Sequence, residues 1–151
     1  NGTIWAEAKG RLGFGSDSNI RITLTEELRT LEYSQRLRDR GRAILATPDR
    51  STGRVIYEAG LNGGATAAGR DTGAIRAGLW ADLVAIDLEN TVMSGRQGDQ
   101  LLDSLIFAGH DGLVREVWSA GRHVVKNGQH TDHDRIVSDY LATIARVQDR
   151  M

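Results

Sequence analysis

Cysteine is absent from this 151-residue sequence, so disulfides and thiolate zinc sites are both excluded. Proline occurs once, at Pro48. No apolar run approaches the roughly 20 residues that a membrane-spanning helix needs. Nor does charge of one sign dominate. Nineteen basic and twenty acidic residues leave a net charge of -1, so no bulk field draws the chain to nucleic acid or to an acidic membrane. No secretory pattern opens the chain, and a cytoplasmic location is the default expectation. What is present suits a globular protein: 40% of the residues are hydrophobic and 26% are charged. Eighteen glycines point to tight turns and close packings. Together with a first residue, Asn1, that is not methionine, they suggest a piece of something larger.

Residues 11–17, Arg-Leu-Gly-Phe-Gly-Ser-Asp, read as a short strand. Side chains alternate along a strand, so Leu12 and Phe14 share one face while Gly13, Gly15 and Asp17 share the other. An apolar face, an almost bare face and a terminal carboxylate suit a barrel strand packed outward on helices. A helix over about 24–42 follows, with Thr23 as N-cap and Glu26 completing a capping box. Leu24, Leu28 and Leu31 mark its expected buried stripe, with Leu37 further on, and Glu32 with Arg36 forms an i, i+4 pair. Thr47-Pro48-Asp49 breaks the pattern. A second helix, about 51–68, ends near Gly69, and its small residues (Ala59, Gly63, Gly64, Ala67, Ala68) allow close approach to a neighbour. Residues 81–87 read as a buried strand and 99–108 as a short helix. Two strands, 114–120 and 123–126, flank a tight turn at Gly121-Arg122, and Asn127-Gly128 marks another. Ile136, Tyr140, Ile144 and Val147 have helical spacing in the tail, about 132–149.

Asp17 is the sharpest candidate for chemistry. At the C-terminal end of a barrel strand, a carboxylate can bind a metal and accept a proton from water. The same Gly-Ser-Asp-Ser-Asn run is also good turn chemistry, so an Asx turn stands beside that reading. Among residues 130–134, His130, Asp132, His133 and Asp134 could hold a cation but read better as a solvated loop. His110 and His123 are isolated. Residues 60–69 lack the Gly-Lys-Ser/Thr ending of a phosphate loop. The arginines at 36, 38, 40, 42 and 50 have no interleaved aromatic platform, which argues for a solvated helix end or a subunit contact over a nucleic-acid groove.

Residues 13–19 (Gly-Phe-Gly-Ser-Asp-Ser-Asn), Glu26-Glu27-Leu28-Arg29, Leu31-Glu32-Tyr33 and Gln35-Arg36-Leu37-Arg38 resemble the formimidoylglutamate deiminases of the amidohydrolase superfamily. Gly73-Ala74-Ile75, Gly78, Ala81-Asp82-Leu83-Val84, Gly121-Arg122-His123-Val124-Val125 and Asn127-Gly128 resemble the superfamily's stretch after the barrel. The similarity runs from about residue 11 to the end. It implies an α/β fold: the C-terminal part of a (β/α)8 barrel over 1–69, part of a small β-sandwich over 70–130 and a C-terminal helix over 131–151. It also implies a zinc cofactor, a small-molecule substrate and a homodimer. Asp17 would be both metal ligand and catalytic base, with Ser16 and Ser18 orienting it or touching substrate. The family's other zinc ligands are histidines on earlier strands, and here all four histidines fall after residue 109. A catalytic zinc site normally takes at least three protein ligands, so this stretch alone is expected to be inactive. The activity implied is hydrolytic deimination of N-formimino-L-glutamate. The rivals are a deaminase acting on a ring such as guanine or cytosine, and a non-catalytic interaction domain.

Overall fold

A computed structural model describes residues 2–150. Helices α1 (Gly2–Glu7), α2 (Leu24–Asp39) and α3 (Thr52–Ala68) come first, followed by strand β1 (Leu83–Ile86) and helix α4 (Asp99–Phe107). A 3-10 turn (Asp111–Leu113) then leads into β2 (Val114–Ser119), β3 (Arg122–Lys126), β4 (Gln129–His130) and helix α5 (His133–Gln148). The strands form one antiparallel sheet in the order β1-β2-β3-β4. No described helix is long and apolar enough to cross a membrane.

The helical layer is α2, α3 and α4. Leu28, Leu45, Ile56 and Ile106 form its core, with Phe14, Leu31, Tyr57 and Phe107 packed around them. The buried stripe of α2 differs from the expected one: it is Leu28, Glu32 and Gln35, while Leu24 and Leu37 are exposed. The chain from 41 to 46 folds back over α2 and covers Glu32, and α3 and α4 cover Leu28. The helix stops three residues early because Arg40 adopts a left-handed cap (φ 52°) and bonds back to the Arg36 carbonyl. Thr23 stands at the N-cap but does not cap. Its hydroxyl donates to Asp111 Oδ1 at 2.5 Å, and Glu26 pairs with Arg21, so no capping box forms.

Polar side chains satisfy helix ends across the layer. Ser51 caps α3 by accepting from the Arg54 amide, and Gly69 closes it in the left-handed region. Asp103 on α4 accepts from the Gly53 amide at 2.8 Å, and Asp99 accepts from Ser51 N at 3.1 Å. Two carboxylates thus sit at the positive end of the α3 dipole. In return, Arg29 on α2 donates to the carbonyls of Ile106 and Gly109 at the C-terminal end of α4. Gly53 is required at the α3–α4 crossing, because a Cβ there would lie 2.7 Å from the backbone nitrogen of Asp103.

A second core of Met93, Leu105 and Leu113, flanked by Ile86, Val92 and Leu101, joins α4 to the sheet. The hairpin turns are Ala120-Gly121 and Asn127-Gly128, each with positive φ at both central residues. That is the type I′ geometry that matches strand twist and favours glycine second. The first turn therefore lies one residue earlier than Gly121-Arg122, and Arg122 pairs with Ser119 inside the sheet. Helix α5 forms as expected, but Ile136, Tyr140, Ile144 and Val147 are all exposed.

Carboxylates pin both turns. Asp82 accepts from the Ala120 amide at 2.7 Å and pairs with Arg70; Glu116 accepts from the Asn127 amide at 2.9 Å and bonds His123. The Ala120 amide, with Thr72 and Arg70, holds the Asp82 carboxyl below its usual range, and the Asn127 amide, with His123 and Arg115, does the same for Glu116. The folded state therefore binds protons less readily than the unfolded chain. The stabilisation from both groups is present above the ordinary carboxylate pKa of about 4 and is lost as pH falls through the lowered folded values. Urea midpoints should fall between pH 6 and pH 3, and Asp82→Asn should flatten that dependence. An unchanged slope in that variant would remove Asp82 from the acid response.

Candidate functional site

Residues 11–17 form no strand, since none of the described residues supplies a strand alongside them and an isolated strand has no ladder to join. The expected alternation is nevertheless there. Leu12, Phe14 and Ser16 are partly buried, while Arg11, Gly13, Gly15 and Asp17 are exposed. The apolar side packs on helices. Phe14 joins the core around Leu28 and Ile56, and the backbone of Leu12-Gly13 lies directly on α3 at Gly63. A Cβ on Gly63 would fall 1.8 Å from the Leu12 carbonyl oxygen, so only glycine permits that approach. Of the two glycines among the small residues expected to allow close packing, Gly63 carries it. Its neighbour is this segment and not another helix, and a Cβ on Gly64 would meet open space.

The bare side is open. A Cβ on Gly15 would meet nothing within 4 Å, and Asp17 follows on the same side. Asp17 is the second residue of a tight turn closed by the Asn19 amide donating to the Ser16 carbonyl at 2.7 Å. Its φ is 44°, in the left-handed region that costs an L-residue on the order of 1–2 kcal/mol, less for Asp and Asn. No hydrogen bond or ion pair engages its carboxylate among the described residues, so the Asx-turn reading gains no support. Asp17 therefore adds no side-chain bond to the turn, in a conformation where glycine would cost less.

The surroundings are polar and ordered. Asn19 Nδ2 donates to Glu27 Oε1 at 2.9 Å, and Arg21 pairs with Glu26 at 3.0 Å. Both contacts tie the loop to the first turn of α2, and Thr23 ties the same region to Asp111. Ser16 and Ser18 were the expected neighbours of Asp17, but their hydroxyls make no hydrogen bond among the described residues. Asn19, outside those expectations, is the neighbour whose side chain makes one. The signal for it is a carboxylate eight residues on, in a helix's first turn, which spacing alone does not single out.

The histidines stand elsewhere. His123 stacks on Trp118 with ring centroids 4.4 Å apart and bonds Glu116. His110 Nδ1 accepts from the Gly112 amide, His130 Nδ1 accepts from the Asp132 amide, and His133 contacts Asp134. Among the described residues no three His, Asp or Glu side chains converge as a metal site. Arg36 stacks over Tyr33 and Phe107 and pairs with Glu32, a structural role. An apolar opening of about 610 Å³ lies between α3 and the β1–β2 face, lined by Tyr57, Leu61, Ile75, Val84, Val117 and Trp118 among others. Its charged residues, Arg70 and Asp82, are already paired, and Asp17 is not in its wall.

No protein-family profile matches the chain. It is 43% identical over 141 residues to a formimidoylglutamate deiminase of Pseudomonas aeruginosa, which covers 93% of this chain and 31% of that protein. Among solved structures it is similar to an amidohydrolase from Brucella melitensis, with TM-score 0.87, 38% identity, 98% of this chain and 32% of that one. It is also similar to an adenosine deaminase from Xanthomonas campestris with bound zinc, with TM-score 0.80, 25% identity, 99% of this chain and 33% of that one. The chain thus spans about a third of the length of the relatives it matches. By sequence it matches a C-terminal stretch of formimidoylglutamate deiminase, and its structural neighbours are amidohydrolases.

Proposed function

We propose that the intact protein is a zinc-dependent hydrolase that converts N-formimino-L-glutamate and water into N-formyl-L-glutamate and ammonia, with Asp17 as its base. The observation that carries this reading is the free carboxylate of Asp17, held at positive φ on the face left bare by Gly13 and Gly15. An unpaired carboxylate suits a zinc ligand, and the residues present fit the ion as one donor among several. The other ligands come from parts of the protein beyond these residues. Zinc, when bound, lowers the pKa of a water toward about 7. Asp17 would accept a proton from the water that attacks the formimino carbon. A tetrahedral intermediate collapses with loss of ammonia, and Asp17 returns the proton to the leaving nitrogen. Ser16 and Ser18 lie beside it as secondary candidates for substrate contact.

In this reading residues 1–69 are the last strand and helices of the barrel, 70–130 part of the small sandwich, and 131–151 a terminal helix. Segment 11–17 then gains its missing strand partners from the rest of the barrel. The protein acts in the cytoplasm as a homodimer, in histidine breakdown. A ring deaminase is the second reading, supported by the adenosine deaminase likeness, while the higher identity to the deiminase supports the first. Ammonia release by the intact protein should be fast with N-formimino-L-glutamate and negligible with guanine, cytosine or adenosine. About one tightly held zinc per chain should accompany it. The reverse substrate preference would overturn the deiminase assignment, and a metal-free, inactive protein would favour an interaction domain.

A further inference from the structure

We propose that Asn19 and Glu27 form a clamp that positions Asp17. The inference rests on the reading of Asp17 as base and metal ligand. Asp17 has no partner of its own, so its direction is set by the backbone of the Ser16–Asn19 turn. That turn carries a positive φ at Asp17, a place where type II′ turns put glycine. Nothing in residues 17–22 is buried, so packing does not hold the turn. Two hydrogen bonds from Asn19 do, beside the Arg21–Glu26 pair further along the loop. The Asn19 amide N–H donates to the Ser16 carbonyl at 2.7 Å, and its side-chain Nδ2 donates to Glu27 Oε1 at 2.9 Å. Glu27 lies in the first turn of α2, a helix anchored through Leu28 in the core. The chain of support therefore runs from the core to Leu28, to Glu27, to Asn19 and to the Asp17 backbone.

A positioning role predicts coupling. In the intact protein, Asn19→Ala and Glu27→Ala should each weaken zinc binding about tenfold, the lower end expected for partners that orient a ligand. Each should lower kcat by a similar factor with KM little changed. The double variant should lose no more than either single one, because both remove the same contact. Glu27→Gln keeps the acceptor oxygen and should restore zinc affinity and kcat to near the starting values. Additive losses, failure of Glu27→Gln to rescue, or unchanged zinc affinity in both alanine variants would each overturn the clamp. Asp17→Asn is measured alongside. If it loses turnover while the alanine variants behave like the parent, the clamp alone fails. If Asp17→Asn itself keeps zinc and turnover, the assignment of Asp17 fails and the clamp with it.

Discussion

Replacing Asp17 by asparagine in the intact protein should lower turnover about a thousandfold, the middle of the range for loss of a general base. Asparagine is the informative substitution here for a conformational reason. At φ 44° most residues would strain the turn, whereas asparagine tolerates the left-handed region as readily as aspartate. The Ser16–Asn19 hydrogen bond should survive, and stability should change by less than about 0.5 kcal/mol, as at other exposed positions without partners. What asparagine lacks is the capacity to take a proton and the negative charge that favours a divalent cation. Turnover and zinc content should therefore fall while the urea midpoint stays in place. Full turnover with unchanged zinc would remove Asp17 from the reaction. A loss of turnover matched by a loss of stability would make it a structural residue instead.

Much of this placement was legible in the residues. Period-two alternation over 11–17 assigned Leu12 and Phe14 to one side and Gly13, Gly15 and Asp17 to the other, and the structure keeps that division without a strand ladder. Parity belongs to the local chain, whereas the ladder needs partners from outside it. The helices at 24–39, 52–68 and 99–107 were legible, the first from its leucine spacing and capping residues, and their ends shifted by local geometry such as the left-handed Arg40. The first hairpin turn lies one residue before the expected Gly121-Arg122, because glycine takes its second central position and not its first. Contacts between distant segments were not legible. Asn19 with Glu27, Thr23 with Asp111, and the carboxylates of Asp99 and Asp103 at the start of α3 all depend on tertiary approach. Each pairs polar residues that no periodic pattern connects.

Glu32 is the clearest of these cases, and its removal should have the largest effect on stability. Read along α2, it forms an ordinary i, i+4 pair with Arg36, of the kind worth a few tenths of a kcal/mol. In the structure its side chain is fully buried. Oε1 accepts from Arg36 Nε at 2.8 Å and from the Ile44 amide at 3.0 Å, and Oε2 accepts from the Leu45 amide at 3.1 Å. One carboxylate thus anchors the return segment after α2, where Leu45 enters the core that also seats Phe14. Glu32→Ala strands two amide donors, at about 1–3 kcal/mol for each unsatisfied group, and opens a cavity. A loss of about 3–5 kcal/mol is expected, from the two stranded amides together with the lost packing. Arg36→Ala should cost less, because Glu32 keeps both amides. Glu32→Gln should fall between the two, since its NH2 must face one of those amide donors. Urea unfolding should rank the variants in that order, and a loss below about 1 kcal/mol for Glu32→Ala would mean that water replaces the carboxylate. Since Phe14 packs against Leu45's cluster, the same variant should loosen the segment leading to Asp17. Its zinc affinity should then fall although residue 32 touches no part of the site.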